Sequence, residues 1–173
     1  STKNKAKSRD PEMRSTKKGN QYYFGMKAHI GADAASGLVH TLVTTAANEH
    51  DVTQVHGLLH GEEQQVYGDS GYLGAGKRDE NKDNDVEWVI AMRHGTRRKH
   101  RDSGTRKGQL IDQIEKLKSQ IRSQVEHPFY WVKVAFKHRK VRYRGLAKNT
   151  AQLYSLFALS NLFLARRCTP LAG

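Results

Sequence analysis

Cysteine is almost absent: Cys168 stands alone in 173 residues, which excludes an internal disulfide framework and a multi-thiolate metal site and makes a reducing compartment the simplest setting. Long apolar runs are missing too. The most apolar stretch, Leu153 to Ala165, contains Ser155, Ser160 and Asn161 and falls short of the roughly twenty residues that cross a bilayer, so it reads as a core helix and no membrane association is expected. The opening segment, Ser1 to Arg14, is basic with no apolar region behind it, which argues against a secretory signal and for a cytoplasmic protein. Acidic charge is the third shortage. Seventeen Asp and Glu face 30 Lys and Arg, leaving a formal charge of +13. Such a field attracts polyanions. A polybasic membrane binder would pair an amphipathic basic helix with apolar anchors, and none is evident.

What remains is enough for one domain. Residues 1–20 are charged and broken by Pro11 and Gly19, and read as an extended connector. Tyr22 to Ile30 alternates, Gly31 to Gly37 has turn chemistry around Asp33, and Leu38 to Thr45 is β-branched, which predicts a hairpin. Asn48 and Asp51 are candidate caps for a helix carrying Val52, Val55, Leu58 and Leu59. Gln65 to Gly68 reads as a short strand that delivers Asp69 into a turn, and Val86 to Met92 as another, reached through a charged segment over residues 76–84. Arg93 to Lys107 is dense in basic residues and is expected to be a loop. Leu110, Ile114, Leu117 and Ile121 recur at spacings of four, three and four, the period of an amphipathic helix lying on a sheet. Glu126 falls near its end, where Pro128 is expected to kink or stop it. A basic, aromatic segment and a terminal helix around Asn149 to Arg166 follow. The order of elements predicts an α/β fold with a mixed sheet and flanking helices.

Two-metal phosphodiester chemistry needs hard oxygen ligands from separate elements, and a strand-end aspartate with a helix glutamate satisfies that in principle. Asp69 in Gly68-Asp-Ser-Gly71 is weak evidence alone, because that tetrapeptide is also a common turn. Its company is more specific. The run Val66 to Gly74 (VYGDSGYLG), the segments Arg9 to Met13, Thr16 to Asn20, Tyr23 to His29 and Thr45 to Asp51, then Val125 to Phe129 and Arg139 to Asn149, resemble in order the insertion-sequence transposases of the DDE class, in particular the bacterial group named after insertion sequence five. The similarity runs from residue 1 to about 165. The family's glutamate signature, Tyr-x2-Arg-x3-Glu-x6-Lys, is met by Arg122, Glu126 and Lys133, with Ser119 at the tyrosine position.

That resemblance implies an RNase H-like core over residues 21–146, a C-terminal helix and tail over 147–173, and a chain that starts after the family's first strand, with its aspartate. It implies metal-dependent cleavage of DNA at an element's end, then strand transfer, with Asp69 and Glu126 as catalytic ligands of Mg²⁺ or Mn²⁺. Arg122, Lys133, Arg139, Lys140, Arg142, Arg144, Arg97 and Arg98 are the expected phosphate contacts. Asp10, Asp33 and Asp51 each have a local explanation and are not expected to replace the first aspartate. The fragment is therefore expected to be catalytically incomplete, the other reading being a non-catalytic DNA-binding remnant or regulator. DNA is the expected partner, in a nucleoid-associated setting, with homo-oligomers expected of the full-length family. His56 and His60 share a helical spacing that zinc sites use, but two ligands do not make a site, so they are expected to be solvated or packed.

Overall fold

The computed structural model describes residues 9–168, with side chains to residue 166; the readings that fall on residues 1–8 and on the Cys168 thiol lie outside the described residues. Five strands and four α-helices follow one another: β1 (Arg14–Lys18), β2 (Gln21–Ala32), β3 (Val39–Ala46), β4 (Gln65–Gly68), β5 (Glu87–Ile90), α1 (His94–Arg101), α2 (Arg106–Arg122), α3 (Glu126–Tyr130) and α4 (Leu146–Cys168). The mixed α/β class is as expected. Among the described residues, however, the strands form two sheets, β1-β2-β3 antiparallel and β4-β5 parallel, in place of one.

The hairpin follows from its sequence. Alternation along β2 sends Met26, Ala28 and Ile30 to one face, where they pack on Leu42, Val132, Leu153 and Phe157. Its turn is held by Asp33, whose carboxylate accepts from the Ala35 and Ser36 amides and the Ser36 hydroxyl. Helix α4 closes this core. Asn161 exchanges both hydrogen bonds with the backbone of Val39, at 2.9 and 2.7 Å, and the Tyr154 hydroxyl donates to the Leu42 carbonyl. These side chains occupy backbone groups that a sheet edge would otherwise leave open.

The segment expected as a connector is extended, and it also pairs: β1 zips onto residues 21–25 of β2, and Met13 beside it is buried. Asp10 and Glu12 reach the start of α4 and accept from the amides of Gly145 and Leu146. Both satisfy helix amides that lack an intrahelical partner.

Three helical expectations change. The segment from Asp51 is one 3₁₀ helix, Asp51–Gly57, with His50 at its N-cap and no side-chain cap, so neither Asn48 nor Asp51 caps it. The basic loop contains α1, held antiparallel to α2 by the Arg97 to Asp112 bond at 2.7 Å and by close backbone approach at Gly108, where a Cβ would collide with the His100 carbonyl. Of the two outcomes expected at Pro128, a kink or a stop, the stop does not occur there: α2 ends earlier, at Arg122, and a 3₁₀ turn, Ser123–Val125, joins it to α3. Pro128 sits in the first turn of α3, where its missing N–H breaks no bond, and the path continues through one π-helical turn, Trp131–Ala135. Lys137, with φ at 56°, turns the chain out of it.

The largest reversal concerns α2. Its apolar stripe was expected against a sheet, yet Leu110, Ile114 and Leu117 face solvent. The opposite face is the packed one: Glu115 is buried, its carboxylate accepting from the Met92 amide at 2.7 Å and lying 2.9 Å from Lys118 Nζ, while Lys118 also donates to the Ile90 carbonyl. Polar partners at the end of β5 decide the orientation, which hydrophobic periodicity cannot register.

Candidate active site

Strand β4 ends where its sequence predicts, and Asp69 follows at the N-cap of a 3₁₀ turn, Ser70–Tyr72. Its Oδ1 accepts from the Gly71 amide at 2.7 Å, which fixes the carboxylate at the strand's carboxyl end. Gly68 permits this. A Cβ there would lie 2.9 Å from Ile90 Cδ1 and 3.2 Å from Tyr72 Cβ, so the absence of a side chain at position 68 lets Tyr72 and Ile90 close over the turn without shifting.

Asp69 lines a cavity of about 610 Å³ between the two sheets. One wall comes from the end of β2 and the 3₁₀ helix, with Ile30, Val55 and Leu58; another comes from β4 and β5, with Tyr67, Trp88 and Ile90. Arg122, at the end of α2, reaches the same cavity. Its guanidinium stands 3.7 Å from the Glu126 carboxylate, one turn further on, as the i, i+4 spacing predicts. Arg122 thus lines the same cavity as Asp69 and forms an ion pair with Glu126. Glu126 itself lies outside the cavity lining and is exposed.

The other expected phosphate contacts are distributed. Lys133 lies in the π-helical turn with its ammonium 4.6 Å from the centre of the Phe129 ring. Arg139 is exposed and donates to the Lys133 carbonyl. Lys140, Arg142 and Arg144 are exposed in the loop before α4. Arg98 is exposed on α1 with Asp102 at 3.9 Å, whereas Arg97 is committed to Asp112. The interleaved aromatics divide. Trp131 stacks on Phe163 at 4.5 Å with Phe136 against both, while Tyr130 and Tyr143 remain exposed.

A polar cluster that sequence reading passed over adjoins Asp69. Lys27 Nζ lies 3.0 Å from Asp51, and the enclosed ring of His29 lies 3.7 Å from the same carboxylate and 3.0 Å from the Thr45 hydroxyl. The Tyr72 phenol is pushed up to about 12 by burial, reinforced by the negative charges of Asp51 and Asp69, so both carboxylates act on one hydroxyl. The available signal was the i, i+2 spacing of Lys27 and His29 on β2, which places them on one face. His56 and His60 do not converge as a pair. His60 stands beside Glu63 and edge-on to His40, and no group of three or more His, Cys, Asp or Glu suited to a metal ion occurs among the described residues.

No helix among the described residues is long and apolar enough to cross a membrane. A protein-family model described as "Transposase DDE domain" matches residues 1–162. No solved structure matches the chain.

Proposed function

This chain belongs to the transposase DDE-domain family, and from that premise we propose that it is part of a DNA transposase whose catalytic carboxylates include Asp69 and Glu126. The observation that supports the assignment is that Asp69, at a strand end, lines the cavity that Arg122 also lines, and that Glu126 pairs with the Arg122 guanidinium. Transposases act on DNA, and DDE domains use divalent metal ions. The donor chemistry suits Mg²⁺ or Mn²⁺, since carboxylate oxygens are hard ligands. Asp69 and Glu126 would hold the ion, which when bound stabilises charge on the attacking and leaving oxygens of a phosphodiester. Arg122 orients the Glu126 carboxylate and offers its guanidinium to a phosphate at the cavity rim. The basic run beyond Glu126, with Lys133, Arg139, Lys140, Arg142 and Arg144, would follow the DNA backbone, joined by Arg98.

The finer reading is a bacterial transposase of the group named after insertion sequence five, with an RNase H-like core. The cavity lies between the sheet that holds β2 and the sheet that holds β4, and mixes apolar side chains, Ile30 and Val66 among them, with polar ones such as Glu63, Asp69 and Arg122.

The test incubates the transposase that contains these residues with element-end DNA and Mg²⁺ or Mn²⁺. Strand cleavage is expected, and Asp69→Ala or Glu126→Ala should lower it at least a hundredfold, about the loss of one essential catalytic group. Cleavage that survives both substitutions would refute the site.

A further inference from the structure

We propose that the far end of the β1–β2 ribbon binds an unpaired DNA strand, with one base stacked on Tyr22 and the next on Phe24. The inference rests on the assignment to DNA and adds the form of DNA that this face takes, on residues that do not line the Asp69 cavity. β1 pairs with residues 21–25 of β2, and β3 joins β2 only from Met26 onward, so the ribbon's far end is two strands wide. Alternation puts Tyr22 and Phe24 on one face, opposite Lys17 and Ser15 of β1. Tyr22 is 74% exposed and Phe24 40%. A cation stands over each ring: Lys17 Nζ lies 5.7 Å from the centre of Tyr22, and the Arg9 guanidinium 4.8 Å from that of Phe24. The face therefore repeats one unit along the strand, a ring beside a positive charge.

That unit is the complement of a nucleotide, the ring meeting a base and the cation its phosphate. Residues two apart on a strand are separated by about 7 Å. This is roughly twice the spacing of about 3.4 Å between stacked nucleotides, so each ring takes one base of a strand drawn out of its stack. An intact duplex presents base edges in its grooves and keeps the faces covered. Charge favours the same occupant. Between Glu12 and Asp33 the sequence has no acidic residue, while Arg14, Lys17, Lys18 and Lys27 are basic. Lysines on an edge strand also resist strand addition, but a ribbon built only for that would not expose two aromatic rings. The ribbon's root is fixed as well. Asp10 and Glu12 accept from the amides of Gly145 and Leu146, at the end of the loop that carries Lys140, Arg142 and Arg144. A DNA strand held on that loop has the ribbon as an adjoining basic surface.

The experiment measures binding of the full chain to a labelled oligothymidine of about 15 nucleotides, and to a duplex of the same length, at roughly 0.15 M salt and without metal. No cleavage is read, so the outcome does not depend on Asp69 or Glu126. Tyr22→Ala and Phe24→Ala should each weaken the single-strand complex at least about fivefold and the duplex complex less than about twofold, with unchanged circular dichroism. Tyr22→Phe should keep the affinity and Tyr22→Leu should lose it, because stacking needs the ring whereas a plain apolar contact needs only the bulk. Tyr23, on the opposite face with its hydroxyl donating to Gln21, is the control, and Tyr23→Ala should leave the single-strand complex nearly unchanged. Single-strand affinity indifferent to both Tyr22→Ala and Phe24→Ala, an equal loss for both forms of DNA, or full affinity in Tyr22→Leu overturns the proposal and leaves the DNA assignment standing. Tighter binding of oligouridine than of oligothymidine overturns the choice of DNA over RNA. Binding to neither form of DNA overturns the proposal together with the assignment it rests on.

Discussion

His29 shows what one enclosed side chain does to the whole protein's pH response. Burial holds its imidazole below the ordinary value of 6.5, the Asp51 carboxylate opposes that shift, and the Lys27 ammonium adds to it. With the folded pKa lowered, the folded state takes up its proton later than the unfolded state as pH falls. The stability tied to the neutral ring is therefore complete above pH 6.5 and is lost progressively below it, down to the folded pKa. Urea unfolding at pH 7.5 and pH 5.5 should show a less stable protein at the lower pH. His40 and His138 are shifted in the same direction by burial, so the wild-type slope is a sum. The His29→Asn variant isolates one member: its stability should fall less between the two pH values than that of the wild type. An unchanged slope would mean that His29 takes up its proton equally in both states.

Elements were legible in the sequence wherever local chemistry alone decides them. The hairpin, its Asp33 turn, the four residues of β4 and the Arg122–Glu126 spacing all rest on neighbours within a few positions. What sequence left hidden depends on partners far along the chain. Helix α1 is a run of basic residues that looks like a solvated loop until Asp112, fifteen positions on, receives Arg97. Helix α2 has an apolar stripe that reads as its inner face, and Glu115 overrides it by finding the Met92 amide and Lys118. That override is measurable. Removing the buried Glu115 carboxylate strips a part-buried amide and a half-buried ammonium of their acceptor, and Glu115→Ala should destabilise the protein by about 2 to 4 kcal/mol in urea titration. Leu117→Ala on the outer face should cost less than about 1 kcal/mol under dilute conditions, where the stripe is solvated. The reverse ranking would mean that the stripe, and not the glutamate, seats the helix.

At the scale of the whole molecule the governing quantity is the charge of +13, and the fold determines how much of it is available to DNA. Sequence reading treats every arginine of the basic segments as equivalent, whereas the structure sorts them. Arg97 is spent within the protein on Asp112, and its loss should loosen α1 from α2 more than it weakens DNA binding. Lys140 and Arg142 stand exposed in the loop that precedes α4, with neither in an ion pair closer than 4 Å to any carboxylate among the described residues. Each phosphate neutralised releases condensed counterions, so the logarithm of affinity falls with the logarithm of salt by about 0.9 per contact. Fluorescence anisotropy with labelled duplex at several salt concentrations should give a steep negative slope and little preference for element ends over random DNA. Lys140→Ala and Arg142→Ala should each flatten that slope by about one, and Arg97→Ala should leave it nearly unchanged while lowering the melting temperature. The three variants carry the same change of formal charge. A mere cloud of positive charge would make them indistinguishable, and a DNA track laid out by the fold will not.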